Sequence, residues 1–264
     1  TYQVSDKSKK THSIKIYKAT EAAMGEVFFD VSAIDAIPFQ PKQKKKIEFI
    51  GDSITCGFGN DETGLPCGQG QWFDQHNAYL AYGPIVSRKL DADFLLSSVS
   101  GYGMYRNWNS EKWEETIFPD VYDHLFLRNS ESEKFGNDYQ PDLVSICLGT
   151  NDLSEGDSQK ERLPFNKHKY IGNYIEFVQK IYKKYPNTKI VLLNSPMVSG
   201  DRNKEFMEAL NAVKDFFKNN KKQASIEIFE FKEMKPKGCG FHPSAEDDQK
   251  MADEIYDFYK NNLK

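Results

Sequence analysis

From Lys46 onward, short apolar segments alternate with longer segments of helical periodicity, and this pattern limits the fold more than any other feature. Such alternation is typical of a largely parallel sheet with helices packed on both faces. The predicted strands are Ile47–Ile50, Phe94–Val99, Leu143–Leu148, Lys189–Asn194 and Ile226–Phe231. The predicted helices are Tyr79–Leu90, His168–Tyr185, Lys204–Asn219 and Ala245–Asn262, the last with Ser244 as its N-cap. We therefore expect an α/β domain with about five parallel strands.

The N-terminal part of the chain has a different character. It contains two predicted strands, one over His12–Lys18 and one over Gly25–Val31, followed by a proline- and lysine-rich linker. Two strands are not stable alone in water, so these must pack on another surface. We therefore divide the chain into residues 1–44, a β segment with its linker, and residues 45–264, the α/β domain. Between 102 and 139 the pattern is irregular and aromatic, which indicates loops and short helices over the functional site.

Charge and hydropathy narrow the range of partners. Charged residues make up 28% of the 264-residue chain and the formal net charge is −4, which gives no support for nucleic-acid binding. No segment approaches the ~20 apolar residues that a membrane helix needs, so no membrane partner is predicted. Residues Thr1–Val4 begin directly on polar sequence, without the features of a signal peptide, as in a mature secreted form or a cut piece.

The cysteines predict neither a metal site nor a disulfide scaffold. The chain has 4 of them, Cys56, Cys67, Cys147 and Cys239, and their spacing matches no metal-ligand motif. Cys147 stands within an apolar strand and is expected to be a buried thiol. Cys56 and Cys67 flank a Gly-rich loop, and they either pair in an oxidising compartment or remain free.

A serine, an asparagine and a histidine occur where strands of this fold would end. Ser53 follows the first strand and Asn151 follows the third, while His242 lies between the last strand and the last helix. Parallel strands deliver such residues to one edge of the sheet, where α/β proteins build their sites. A serine hydroxyl needs a base to become a nucleophile. Among the 5 histidines, His242 is the one that the topology places at this edge.

The same edge offers donors for an oxyanion. The Asn151 side-chain amide and the backbone N–H groups of Ser53 and Gly101 are suited to hold the charge that develops during acyl transfer. Each of these residues has a purely structural interpretation as well, because Gly, Asn, Asp and Ser are common in turns. The four residue types in one order, each after a predicted strand, favour ester hydrolysis.

Ser53, Gly101, Asn151 and His242 resemble the four namesake residues of the SGNH (GDSL-type) hydrolases. The chain is most similar to carbohydrate esterase family 2, the acetyl esterases of plant polysaccharides. The motifs that carry this similarity are Ile47–Gly57, Ala78–Gly83, Ser100–Met104 and Gly238–Glu254. The resemblance implies a three-layer α/β/α, flavodoxin-like fold and a secreted serine esterase without a cofactor. Its implied substrate is an acetylated polysaccharide of the acetylxylan or glucomannan type.

The resemblance extends to the N-terminal segment but fails at one position of the site. His12–Glu21 and Gly25–Val31 are similar to the end of the jelly-roll domain that precedes the esterase domain in that family, so residues 1–44 are expected to be its remnant. Many relatives carry a triad aspartate two or three residues before the histidine, where this chain has Gly240 and Cys239.

Because the usual acid is missing, we hypothesise a Ser53–His242 dyad. Loss of the third group of a triad costs ~10⁴ in kcat unless something replaces it. In this hypothesis Nδ1–H of His242 is donated to a main-chain carbonyl or to an acid from elsewhere in the chain. Asp52 is adjacent to the nucleophile and is expected to act as a structural hydrogen-bond acceptor.

Aromatic residues near these motifs are candidate sugar contacts, since sugar rings present apolar C–H faces to aromatic planes. The candidates are Phe241, Tyr102, Tyr105, Trp108 and Trp72. For all except Phe241, a place in the core is an open alternative. Two other functions also remain open, a lipase- or thioesterase-like GDSL hydrolase and a carbohydrate-binding module with a weak or decayed site.

Overall fold

Five parallel strands form a single sheet in the computed structural model, which describes residues 15–28, 43–130, 133–218 and 225–264. The strands are β1 Lys46–Gly51, β2 Asp93–Ser98, β3 Leu143–Cys147, β4 Lys189–Leu193 and β5 Ile226–Phe229. Their order is β2-β1-β3-β4-β5 and every neighbouring pair is parallel. The predicted strands are confirmed to within two residues at each end, as is the flavodoxin-like fold class.

Helices cover both faces of this sheet. They are α1 Ser53–Cys56, α2 Tyr82–Lys89, α3 Phe118–Val121, α4 Thr150–Leu153, α5 Lys167–Lys184, α6 Gly200–Lys218 and α7 Ala245–Asn262. Helices α5 and α6 pack together on one face, and α2 and α7 pack together on the other. The apolar side chains between each helix pair and the sheet form two cores, which makes the three layers. No helix within the described ranges is long and apolar enough to cross a membrane.

Helix α7 matches its predicted bounds, and its start shows why. The Ser244 hydroxyl accepts a hydrogen bond from the Asp247 N–H at 3.3 Å, and Asp247 Oδ2 accepts one from the Ser244 N–H at 3.2 Å. This reciprocal pair is a capping box, which satisfies N–H groups that the first helical turn leaves unpaired. The signal is local, so the sequence alone was enough to locate this helix.

Helix α2 starts three residues later than predicted, after a separate 3₁₀ turn at Ala78–Leu80. Ala81 is extended, with φ −70° and ψ 156°, which breaks the helix between them. The Tyr82 N–H then donates to Asp248 Oδ1 at 3.0 Å, so a residue of α7 caps α2. The true start depends on a contact between distant parts of the chain.

The N-terminal segment forms no strand where the structure describes it. The predicted strands at His12–Lys18 and Gly25–Val31 are therefore wrong over 15–18 and 25–28, and their remaining residues lie outside the described ranges. Over residues 15–28 the chain instead packs on the α/β domain without regular secondary structure. The Ala78 N–H donates to the Ala19 carbonyl at 2.7 Å, and the ring of Tyr17 stacks on that of Phe94 at 5.7 Å.

Candidate active site

Ser53 lies where β1 ends and the short helix α1 begins. Asp52 is the N-cap of α1, and its Oδ1 accepts a hydrogen bond from the Ile54 N–H at 3.1 Å. Burial raises the pKa of the Asp52 carboxyl to about 7, against this bond, which favours the ionised form. Asp52 therefore serves the turn that presents Ser53, and its carboxyl makes no hydrogen bond to His242 in the described structure.

The imidazole of His242 lies between the Ser53 hydroxyl and a main-chain carbonyl. Its Nε2 is 2.8 Å from Ser53 Oγ, and its Nδ1 is 2.7 Å from the carbonyl oxygen of Gly240. A carbonyl oxygen only accepts hydrogen bonds, so Nδ1 carries the proton in the neutral ring. Nε2 is then left with a free lone pair that faces the serine hydroxyl, as a general base requires.

The loop that carries His242 is shaped by two successive left-handed residues. Gly240 has φ +62° and Phe241 has φ +61°, which turns the chain so that the Gly240 carbonyl meets the imidazole two residues later. Main-chain bonds hold both ends of this turn, from Gly238 N–H to the His242 carbonyl and from Cys239 N–H to the Gly59 carbonyl, each 2.8 Å.

A disulfide joins the same loop to the rest of the domain. Cys239 pairs with Cys67, which lies 172 residues earlier in the chain. The possible pairing of Cys56 with Cys67 is therefore wrong. Cys56 faces the interior from α1 as a free, buried thiol, out of reach of the surface loop that holds Cys67. The predicted buried thiol at Cys147 is confirmed.

An aromatic ring packs against the imidazole of His242. The ring of Phe58 lies 4.3 Å from that of His242 and also 4.3 Å from that of His76. Burial lowers the pKa of His242, and its bond to the Gly240 carbonyl opposes this only in part. Burial, together with the charge of the neighbouring His242, lowers the pKa of His76 to about 4. Burial thus favours the neutral form of both imidazoles, which for His242 is the form that a general base needs.

The candidate oxyanion donors lie at the ends of adjacent strands. Because β2 and β3 flank β1, Gly101 and Asn151 follow strands on either side of the one that presents Ser53. One amide hydrogen of Asn151 is donated to the Tyr102 carbonyl at 2.8 Å, which leaves the other for a ligand. Gly101 has φ +80°, and a Cβ there would meet no atom within 4 Å. Glycine is therefore needed at 101 for its backbone conformation rather than for space.

Asp152, next to Asn151, supports this region and was given no role by the sequence analysis. Its carboxylate oxygens accept hydrogen bonds from three consecutive N–H groups, those of Met104, Tyr105 and Arg106, at 2.9 to 3.0 Å. Burial raises the pKa of the Asp152 carboxyl, whereas these bonds favour its ionised form. An acid beside Asn151, in the segment that follows a buried strand, was the signal available in the sequence. The carboxyl ties the loop after Gly101 to the helix that carries Asn151.

The candidate sugar-contacting aromatics differ in their exposure. Phe241 is 87% exposed, Trp72 is 51% exposed and Trp108 is 50% exposed, while Tyr102 is half-buried. Tyr105 is only 7% exposed, and its hydroxyl accepts a hydrogen bond from the Asn166 N–H at 2.6 Å. The prediction of Tyr105 as a sugar contact is therefore wrong, because its ring packs in the core against Phe165 and Tyr170.

A cleft of about 640 Å³ opens beside the helix that carries Asn151. Its lining mixes apolar and polar side chains and consists of Thr150, Leu153, Ser154, Glu155, Gly156, Met197, Val198, Ser199, Asp201 and Arg202. Glu155 and Arg202 form an ion pair in this lining. The cleft is therefore partly polar and charged rather than an apolar channel, and neither Ser53 nor His242 lines it.

The described residues contain one group of side chains with metal-ligand proximity, Glu62 with Cys67 and Cys239. Cys67 and Cys239 form a disulfide with each other, so neither can supply the thiolate that binds a metal. The group therefore does not fit a metal ion.

Comparison with known proteins is consistent with this geometry. The sequence profile of the GDSL-like Lipase/Acylhydrolase family matches residues 49–257. An acetylxylan esterase / glucomannan deacetylase of Cellvibrio japonicus is 30% identical over 95% of this chain and 69% of its own length. The chain spans 51% and 31% of the length of two further curated relatives.

Solved structures show the same relationship. A family two carbohydrate esterase from Clostridium thermocellum, in complex with cellohexaose, is 27% identical with a TM-score of 0.73, over 86% of this chain and 67% of that one. A carbohydrate esterase family 2 enzyme with a carbohydrate binding domain, from Corynascus thermopiles (Myceliophthora fergusii), is also 27% identical with a TM-score of 0.73, over 86% of this chain and 69% of that one. The chain therefore belongs to the GDSL-like lipase/acylhydrolase family, as an ester hydrolase related to the carbohydrate esterases of family 2.

Proposed function

We propose that this protein removes O-acetyl groups from plant cell-wall polysaccharides through a Ser53–His242 dyad. The observation that carries the proposal is the 2.8 Å contact between His242 Nε2 and Ser53 Oγ, with Nδ1 bound to a carbonyl that sets the tautomer. Ser53 Oγ attacks the acetyl carbonyl carbon while its proton passes to Nε2. The resulting oxyanion is held by the N–H groups of Ser53 and Gly101 and by the Asn151 amide.

The proton on Nε2 then passes to the leaving group, and a water molecule completes the reaction. The tetrahedral intermediate collapses as Nε2–H protonates the leaving sugar oxygen, and the acetyl group remains on Ser53. Water then attacks the acetyl carbon and gives its proton to Nε2, and acetate leaves as the proton returns to Ser53 Oγ. The Gly240 carbonyl takes the place of the usual carboxylate, as it orients the ring and its dipole favours the imidazolium that forms in each step.

Three observations support a carbohydrate as the substrate. The relatives are named for acetylxylan and glucomannan, and one solved relative holds cellohexaose. Phe241 and Trp72 are exposed on the loops beside His242, where an aromatic face can pack on a sugar ring. We assign Phe241, Trp72, Trp108 and the half-buried Tyr102 to substrate binding.

Two further proposals concern the compartment in which the protein acts and the nature of residues 1–44. We propose that the protein acts outside the cell, which agrees with the disulfide Cys67–Cys239, because disulfides persist in oxidising compartments. We also propose that residues 1–44 are what precedes the esterase domain in the family, the end of a jelly-roll domain. The family match, which starts at residue 49, supports this division.

The proposal is tested by measuring acetate release from acetylated xylan and acetylated glucomannan, with Ser53→Ala as the matched inactive variant. Wild-type protein should release acetate and Ser53→Ala should not. Binding to either polysaccharide without release would instead indicate a carbohydrate-binding module. Nitrophenyl esters of increasing acyl chain length distinguish an acetyl esterase from the lipase-like alternative. A preference for acyl chains longer than butyrate would overturn the assignment as an acetyl esterase.

A further inference from the structure

Glu21 is a buried acidic residue that lies upstream of the family match at 49–257. It belongs to the irregular segment 15–28, which packs on the α/β domain, and it is only 4% exposed. Acidic side chains are rarely buried to this extent without specific partners. Its contacts therefore indicate what the segment does for the domain.

The Glu21 carboxyl connects two elements of the site. Its Oε2 accepts a hydrogen bond from the Ser100 N–H at 2.6 Å and one from Cys56 Sγ at 3.3 Å. Ser100 directly precedes Gly101, and Cys56 ends helix α1, whose first residue is Ser53. A single oxygen thus contacts both the loop that provides one oxyanion donor and the helix that provides the nucleophile.

The backbone of Glu21 is itself held in place. Its carbonyl accepts hydrogen bonds from the Met24 N–H at 3.0 Å and from the Lys18 ammonium, which close a tight turn around the residue. Two residues earlier, the Ala19 carbonyl is bound by the Ala78 N–H. The second carboxyl oxygen, Oε1, is buried and has no hydrogen-bond partner among the described residues. The contacts of Oε2 are therefore what this side chain provides.

We propose that Glu21 is a positioning residue for the oxyanion hole. The inference rests on the proposed function, because it concerns the Gly101 N–H in that role. The Ser100 N–H points to Glu21, and this bond holds the peptide plane from which the chain continues to Gly101 at φ +80°. Holding that plane restricts the orientation of the next peptide, which carries the Gly101 N–H, and so helps to preorganise this donor. Residues before the family domain thus help to complete its site.

The test compares Glu21→Ala, Glu21→Gln and the control Glu26→Ala. Glu26 lies in the same segment, but it is exposed and forms an ion pair with Arg128. For nitrophenyl acetate, Glu21→Ala should lower kcat by about 10- to 100-fold with KM within about threefold, since a misplaced donor affects the transition state. Glu21→Gln keeps an oxygen acceptor, so it should recover at least about a third of wild-type kcat. Glu26→Ala should match wild type.

Amide hydrogen exchange gives a second readout that does not depend on activity. In Glu21→Ala, exchange at Ser100 and Gly101 should accelerate while exchange in the central strand β3 stays at the wild-type rate. Wild-type kcat in Glu21→Ala, or an unchanged exchange rate at Ser100, would overturn the inference. If wild-type protein cleaves no ester but exchange at Ser100 still accelerates, the proposed function fails and the anchoring by Glu21 stands.

Discussion

Ser53 and Asn151 are buried at the ends of neighbouring strands, whereas His242 lies in a loop outside the sheet. The strand-end half of the site comprises residues 51–53 and 149–152. Its geometry is set by the sheet and by the hydrogen bonds of the buried Asp52 and Asp152 carboxyls. The histidine loop, residues 238–242, has two left-handed residues, a main-chain hydrogen bond to Gly59 and a disulfide to Cys67.

This contrast bears on how the proposed Ser53–His242 dyad works without a third catalytic side chain. A sheet edge brings the proposed nucleophile and the proposed oxyanion donors together as part of folding. The proposed base, His242, has no such support, so its orientation depends on the local turn that directs the Gly240 carbonyl to Nδ1. A carbonyl two residues away can replace a carboxylate only if the turn is rigid. The restraints on the histidine loop are therefore expected to affect kcat, and each variant below changes one half of the site.

Replacing the base should have the largest effect. His242→Ala removes the group that takes the proton from Ser53, so kcat on nitrophenyl acetate should fall by ~10⁴ or more. The melting temperature should change little, because the loop is still held by the disulfide. His168→Ala, an exposed histidine on α5, is the control and should keep full activity. Activity in His242→Ala above a tenth of wild type would contradict the dyad.

In the strand-end half, the variant Asn151→Ala removes one proposed oxyanion donor. We expect kcat to fall by about 10²–10³, since this is the usual effect of losing one such donor, with little change in KM. Steady-state kinetics on acetylated oligosaccharides measures both constants. A rise in KM with kcat unchanged would show that Asn151 binds the substrate rather than the transition state.

Breaking the disulfide tests the histidine loop alone. In Cys67→Ser, the free energy of unfolding should fall by about 2–4 kcal/mol, which denaturant titration measures. Since Cys239 lies three residues before His242, kcat should fall as well, by about tenfold, through a loosened base. A reductant should lower the activity of wild-type protein to the same level and leave Cys67→Ser unchanged. Equal kcat before and after reduction would show that the disulfide does not support the base.

The pH profile should show the smallest effect. A protonated imidazole cannot accept the serine proton, so activity is lost as the pH falls through the pKa of His242. Burial lowers this pKa from 6.5, so the rising limb of kcat/KM should have its midpoint below 6.5. Phe58→Ala exposes the imidazole to water and should move the midpoint upward. A wild-type midpoint above 6.5 would mean that burial does not control this group.

Local patterns predicted much of the fold and the order of the site residues. The strands were found because each is a short apolar run between turn signals, and α7 was found through its capping box. The residues after β1, β2 and β3 were correctly expected at one sheet edge, since parallel strands place their ends there. Each of these signals lies within a few residues of the feature that it predicts.

Other features depend on contacts that no local pattern contains. The start of α2 is capped by Asp248 from α7, and the cysteine pair is separated by 172 residues. Tyr105 looks like other aromatics in the sequence, but three-dimensional packing buries it. The support that Phe58 gives to His242 likewise appears only in the folded chain, because no spacing rule relates the two residues.

Periodicity and turn chemistry are properties of neighbouring residues, so they were sufficient to predict the parallel α/β sheet and the residues at the ends of its strands. The sequence also showed that no acid precedes His242 at the usual positions. The folded structure was needed to show that the Gly240 carbonyl contacts His242 Nδ1, which cysteines pair and that Glu21 reaches the Ser100 peptide. These depend on the relative position of segments far apart in the chain, and packing and long-range hydrogen bonds set that position.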